Sequence, residues 1–374
     1  MNDRARRTGY LAFFVSGICA ISCGVIVSFL QESRGLDYSM SGTLLSVMNI
    51  GNLAAGFLTG LLPGKLGTKP TVLLLTAGYA LGYALMLPHG GAALLALGWL
   101  LVGLAKGCAM NTCTLLVGNN SPNRTKGMNT MHACYACGAL LCPVLAALAG
   151  RIAPDAPLVQ LAVLGGALWL LFAAAPLGNA AGKAKAVTDW SFLRSGYFWL
   201  LTALLFCQNA AENGVTGWLV TYFKDSGILT AVVSPYTVTL LWGATMAARL
   251  LLAFVFPPKN PRRAMIIMAA GCVLFYFGLV LARSQAPALL LLLGFSLSIA
   301  GLNPTIVSCA GKMTTAASMG IMLPAAGLGA ILMPWVIGII AQAAGLRIGM
   351  AVNVLPCMGM LVLAAVLRSR EKAE

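Results

Sequence analysis

The sequence predicts an all-α membrane protein: twelve transmembrane helices in two pseudo-symmetric halves of six. Three observations carry this expectation. Of 374 residues, 59% are hydrophobic and only 9% are charged, whereas a soluble domain carries about 25% charged residues. The apolar residues fall into runs long enough to cross roughly 30 Å of hydrocarbon, which takes about 20 residues. Two marks also recur about half a chain apart. Gly138-Ala139-Leu140-Leu141-Cys142-Pro143 is paralleled by Gly329-Ala330-Ile331-Leu332-Met333-Pro334, 191 residues on, and Asn111 by Asn303, 192 residues on. Related marks at nearly one offset suggest a duplicated six-helix unit.

Taken in order, the apolar runs of the first half cover residues 9–31, 41–62, 70–88, 92–118, 127–150 and 157–178. The first run begins at Gly9 without a small-residue cleavage site, so it is expected to remain as a helix rather than be removed as a signal peptide. The runs of the second half cover 195–223, 234–256, 264–282, 287–311, 315–342 and 348–367. The connections are short. The longest, at 179–194, holds Gly182, Lys183, Lys185, Asp189 and Arg194. It is expected to be a cytoplasmic linker between an N-terminal half, 1–178, and a C-terminal half, 195–374.

Basic residues set the orientation. Of the 24 Lys and Arg, Lys106 and Arg249 lie within spans. Five (Arg34, Arg151, Lys224, Arg283 and Arg347) fall in the connections on one side, and the other 17 fall on the side that holds the N-terminus. The bias predicts that both termini are cytoplasmic. It also accounts for the net charge of +15 without a nucleic-acid partner. The eleven Cys lie within apolar runs and read as small apolar filler.

Two charges stand alone at membrane depth. Lys106 is the only Lys, Arg, Asp or Glu between Lys69 and Arg124, and Glu212 the only one between Arg194 and Lys224. A charge at the bilayer centre costs roughly 2.5–3.5 kcal/mol on insertion scales and marks a solute or ion pathway by default. Lys106 is 14 residues into span four and Glu212 is 11 before the end of span seven. At about 1.5 Å per residue they lie roughly 21 and 17 Å below the outer face. Three readings stay open. The pair makes and breaks during transport, Glu212 exchanging a proton or Lys106 binding an anionic group. Alternatively, the two form a permanent ion pair, or they face separate polar pockets.

The connection between spans two and three reads Gly60-Leu61-Leu62-Pro63-Gly64-Lys65-Leu66-Gly67-Thr68-Lys69. It resembles the G-x-L-x-D-R-x-G-R-K motif of the major facilitator superfamily, with Gly64 at the acidic position. Span five, through Asn129, His132, Gly138 and Pro143, is similar to the N-x-x-H…GA…P pattern of the fucose-permease-like branch. Glu212, Trp218 and Tyr222 resemble its E…W…Y pattern. Trp242, Gly243 and Arg249 resemble W-G…G-R, with Ala248 for the second glycine. The resemblance covers essentially the whole chain. It implies the major facilitator fold and uptake of a small polar solute, a sugar or sugar-like acid, with protons. Sugar:proton members of that branch place carboxylates within spans one and four. Here span one has no acid before Glu32, and span four has Lys106-Gly107, so their coupling site does not carry over.

Further polar residues complete the candidate set. Gln208 and Glu212 share one face of span seven, and Asn209 and Asn213 another. With Lys106, Asn111, Trp242 and Asn303, the residues Gln208, Asn209 and Glu212 are the expected solute-binding group, and Glu212 is the expected proton-coupling group. Interhelical hydrogen bonding is the bland alternative for the amides. His132 lies about one turn from the cytoplasm and is read as fixing an inner gate, together with Lys65, Lys69 and Arg249. For Arg249 two further readings stay open, a clamp on a substrate anion and a stem that snorkels to the inner interface. Trp218 is read either as a sugar-stacking residue or as an interface aromatic. The pairs Gly56 and Gly60, and Gly78 and Gly82, sit at the small-xxx-small spacing of close helix packing.

The sequence therefore points to a secondary transporter working by alternating access. It is expected to be monomeric, without cofactor or metal and not an enzyme, in a bacterial inner membrane with protons and a small molecule as partners. A drug or metabolite exporter of the same fold and a non-transporting sensor are the rivals.

Overall fold

The computed structural model describes residues 2–122, 124–177, 191–256, 258–310 and 316–371. Most of the expected linker, with Gly182, Lys183, Lys185 and Asp189, lies outside these residues, as do Lys312 and Lys372. So do the side chains of Arg124, Lys126, Asn129 and Arg370. The described chain is helical throughout. It divides into two compact units, Met1–Lys183 and Ala184–Glu374.

The first unit holds α1 (Asp3–Ile21), α2 (Cys23–Arg34), α3 (Tyr38–Leu61), the one-turn α4 (Pro63–Leu66), α5 (Thr68–Leu85), α6 (Ala92–Asn120), α7 (Arg124–Gly150) and α8 (Ala156–Ala174). The second opens on a 3-10 turn, Ser191–Arg194. It continues through α9 (Gly196–Asp225), α10 (Tyr236–Leu250), a π-helical turn Leu251–Val255, α11 (Pro261–Leu281), α12 (Gln285–Ile299), α13 (Leu302–Ala310), α14 (Ala316–Ala344), α15 (Leu346–Val352) and α16 (Val354–Glu371). All twelve apolar runs are helical. Nine of the described helical stretches are long and apolar enough to cross a membrane. The other three runs are the 18-residue α5, the amide-bearing α9 and the 15-residue α10.

Four of the twelve runs are not single α-helices, which the apolar pattern alone does not show. Run one breaks at Ser22 and run eight passes into the π turn ahead of Pro257-Pro258. Run ten breaks at Ala300-Gly301 and run twelve at Asn353. In the last two a proline follows the break, Pro304 and Pro356. Proline has no N–H to bond the carbonyl four residues back. The carbonyls of Ala300 and Val352 are therefore without a helical donor.

Each unit packs its helices in the same pairs. In the first, α1 lies on α7, α3 on α6, and α5 on α6 and α8. In the second, α9 lies on α14, α10 on α12, and α11 on α12 and α16. The repeated glycines explain one of these pairings. A Cβ on Gly138 would collide with the Phe14 carbonyl of α1, and a Cβ on Gly329 with the Phe206 carbonyl of α9. Both glycines let two backbones touch at corresponding places.

Large side chains fill the units, with Tyr79, Tyr83 and Trp99 in the first and Trp218, Tyr222 and Tyr276 in the second fully buried. The outside is apolar as well: Val163, Leu170, Leu274 and Leu290 are each more than 60% exposed. Leucines on the outside suit hydrocarbon as the solvent. Two of the five basic residues expected outside cap helix ends. Arg34 donates to the carbonyls of Met86, Leu87 and Pro88 beyond α5. Arg347 donates to Val280 and Ala282 at the end of α11. Cations are favoured at helix C-termini because the last carbonyls are unpaired there.

Candidate functional site

In the first unit the polar residues follow the seam between α3 and α6. Lys106 sits half-buried in the middle of α6, 14 residues from Ala92. Its ammonium is within electrostatic reach of the buried Cys23 thiol, just after the break in run one. Beside it, Gly107 lies against Asn52 of α3, whose side-chain oxygen is buried without a hydrogen-bond partner. One turn further, Asn111 donates to the Thr59 hydroxyl at 2.9 Å. Asn49 is buried, its amide turned back on the Leu45 carbonyl at 3.1 Å.

The seam widens below Asn111 into a cavity of about 460 Å³, lined by Gly56, Thr59, Gly60, Asn111, Asn119 and neighbouring residues. This corrects one expectation. Gly78 and Gly82 do allow close packing, since a Cβ on either would meet the backbone of α6. Gly56 and Gly60 do not, for a Cβ there would meet nothing within 4 Å. These two glycines leave room for the cavity rather than for a helix.

In the second unit three predicted residues form one chain of hydrogen bonds. Asn303, just past the break in run ten, donates from its side-chain amide to the Gln208 side-chain oxygen Oε1 at 3.0 Å. The Gln208 amide in turn donates to the Glu212 carboxyl. Gln208 is fully buried and Glu212 half-buried, in mid-helix. Spacing of four along α9 aligns Gln208 with Glu212, and the kink before Pro304 brings Asn303 alongside. The Glu212 carboxyl is within electrostatic reach of the buried Cys272 thiol of α11. Asn209 and Asn213 are also joined, but through the Asn213 amide and the Asn209 backbone carbonyl, at 2.9 Å.

The remaining predicted residues lie apart from this chain. Trp242 is half-buried on α10. Arg249 donates to the Ala300 carbonyl at 3.1 Å, so its guanidinium is held within the unit. His132 is exposed, its ring edge-on to Phe13 at 5.7 Å. Lys65 and Lys69 are exposed, on α4 and in the first turn of α5. Trp218 fits neither expectation. It is fully buried and its indole N–H donates to the Pro334 carbonyl at 3.0 Å, so it packs α9 against the proline-bearing α14.

A profile of the Major Facilitator Superfamily matches residues 9–324. The chain belongs to this superfamily. It is therefore a multi-pass membrane transporter, and the superfamily resemblance carried by the Gly60–Lys69 connection holds. An uncharacterized transporter of the same superfamily from Yersinia pestis is 24% identical over 379 aligned positions, covering 96% of this chain and 94% of the relative. A class E tetracycline resistance protein of Escherichia coli is 24% identical, covering 90% of this chain and 88% of that protein. Among solved structures, a nucleoside transporter superposes with a TM-score of 0.81 at 15% identity, covering 98% of this chain and 99% of that one. A D-xylose-proton symporter superposes with a TM-score of 0.78 at 15% identity, covering 97% and 96%. At that identity the solved structures show the facilitator fold.

Some polar residues of this facilitator escaped the sequence reading. Asn353 is fully buried at the break in run twelve and donates to the Ala211 carbonyl, next to Glu212, at 3.1 Å. The signal was present, a lone Asn three residues before a proline in an apolar run. Tyr83 bonds Ser22 at 2.7 Å and the Cys19 carbonyl at 2.6 Å, closing the break in run one. Cys134 and Cys137 stand three apart on α7, with Cys137 exposed and the thiols within electrostatic reach of one another. Treating all eleven cysteines as filler passed over this spacing. Among the described residues, no three His, Cys, Asp or Glu side chains come together as metal ligands.

Proposed function

We propose that this facilitator is a proton-coupled importer of a small polar solute, a sugar, sugar acid or related metabolite, working by alternating access. The observation that carries this is the chain from Asn303 through Gln208 to Glu212. Glu212 is the only Lys, Arg, Asp or Glu between Arg194 and Lys224 and accepts from an ordered amide, and an ionisable group within a span marks a solute or ion pathway by default. Amides on α9 and α13, with Asn209 and Trp242, supply the donors, acceptors and aromatic face that a hydroxylated solute uses. Lys106 adds a place for an anionic group, and Asn111 continues the polar lining of the first unit. In this reading His132, Arg249, Lys65 and Lys69 serve the gates. The location is a bacterial inner membrane, with both termini cytoplasmic, and the protein acts as a monomer. The structural neighbours described as a nucleoside transporter and a D-xylose-proton symporter support a hydrophilic solute.

The test uses the purified full-length chain in proteoliposomes under an inward proton gradient, with labelled pentoses, hexoses, sugar acids and nucleosides. One of these should accumulate. Glu212→Gln should still exchange it across the membrane but not concentrate it. Full accumulation by that variant would reject Glu212 as the coupling group. A second reading, drug export, is favoured by the tetracycline resistance relative. It predicts proton-driven movement of tetracycline in the opposite direction and no accumulation of the polar panel.

A further inference from the structure

We infer that Arg249 is a positioning residue: it fills the hydrogen bond that Pro304 removes from run ten, and so holds Asn303 on Gln208. This rests on the assignment of the Asn303–Gln208–Glu212 chain to the transport site. In a continuous helix the Ala300 carbonyl would accept from the N–H of residue 304. That residue is proline and has no N–H. A carbonyl left open at membrane depth has no water to turn to, and each such group is costly there. Arg249 supplies the missing donor from α10, its Nε at 3.1 Å from the Ala300 oxygen.

A second contact from the same place braces the break. Gly301 packs against Leu252 of the π turn that follows Arg249, and against Met268 of α11 at 2.7 Å from where its Cβ would stand. The Thr305 hydroxyl closes the Gly301 carbonyl at 2.6 Å. The break is thus saturated on both carbonyls. Asn303 lies between the two fastened residues and Pro304, with its amide directed to Gln208 at 3.0 Å. Arg249 is otherwise an expensive choice at this depth. A guanidinium carries five donors and stays charged, and the Ala300 carbonyl explains why one is kept near a kink in an apolar helix.

The experiment reads the infrared band of the Glu212 carboxyl in the purified full-length protein at fixed pH, assigned by its loss in Glu212→Gln. Asn303→Ala should shift the band, because Gln208 loses the partner that orients it. Arg249→Leu should shift it in the same direction. Adding Pro304→Ala to Arg249→Leu should return the band to its wild-type position, since residue 304 then offers the Ala300 carbonyl an N–H of its own. A band unmoved by Arg249→Leu, or moved but not restored by Pro304→Ala, overturns the inference. If Arg249→Leu does not fold, the double variant should; a double variant that also fails to fold counts equally against it. A band unmoved by Asn303→Ala refutes the positioning role and leaves Glu212 coupling to be judged by proteoliposome transport. Full accumulation by Glu212→Gln with the band pattern intact would sink the transport reading alone.

Discussion

Gly82 offers a test of helix packing whose size follows from distances. It sits where α5 crosses α6, opposite Gly98. In Gly82→Ala the new Cβ would stand 2.5 Å from the Gly98 carbonyl oxygen and 2.8 Å from a Val102 methyl. Real Cβ contacts essentially never fall below 3.0 Å, so the two helices must part locally by about 0.5 Å. Overpacking of this kind costs about 1–3 kcal/mol, and the upper part of that range is expected because the obstacle is a carbonyl within a helix. Ala also raises helix propensity by about 1 kcal/mol over Gly, which offsets part of it. The net expectation is a loss of about 1–2 kcal/mol. Gly56→Ala gains the same propensity and meets nothing, so it should be neutral or stabilising. Thermal unfolding of the purified variants in one detergent would compare them. A Gly82→Ala protein as stable as wild type, or a Gly56→Ala protein destabilised as much, would refute the packing argument.

Three other outcomes follow from burial and bonding. Trp218→Phe leaves the Pro334 carbonyl without its indole donor and should lower stability by about 1–3 kcal/mol; unchanged melting would remove Trp218 from the core of the second unit. Cys137 should react with a maleimide in the folded, solubilised protein while Cys113 and Cys142 do not, as mass spectrometry of the adducts would show. Labelling of all three at one rate would contradict the placement of α7. In a ligand-stabilisation screen across sugars, sugar acids and carboxylates, Lys106→Ala should abolish stabilisation by anionic solutes and spare that by neutral ones. Equal anion stabilisation in the variant would exclude Lys106 as the anion contact.

Much of the architecture is legible along the chain because the bilayer acts on sequence directly. A span must be apolar for its whole length and must satisfy its own backbone, so twelve runs mark twelve helical regions. The half-chain repeat is equally legible, and Gly138 and Gly329 show why: both must lack a Cβ where a phenylalanine carbonyl of the neighbouring helix touches. The candidate site is legible only in its most costly members. Lys106 and Glu212 announce themselves because charge is expensive in hydrocarbon. Tyr83 does not, since a hydroxyl bonded to a neighbouring carbonyl costs little in its run, and Asn353 shows only as a lone amide ahead of Pro356.

What the sequence by itself determined was the membrane class, the helical regions, the duplication and the isolation of two charges within apolar runs, all read from the preference of apolar residues for hydrocarbon. Only the tertiary structure decided which amides meet. Gln208 was one of four amide or acid groups within residues 208–213 of α9 until the kink at Pro304 brought Asn303 to it. Trp218 became a packing residue once Pro334 lay beside it. Gly56 and Gly60 became the wall of a cavity when no helix came close enough to need them. A hydrogen bond or a void depends on distances of a few ångströms between segments far apart in the chain, and one-dimensional spacing carries no such distance.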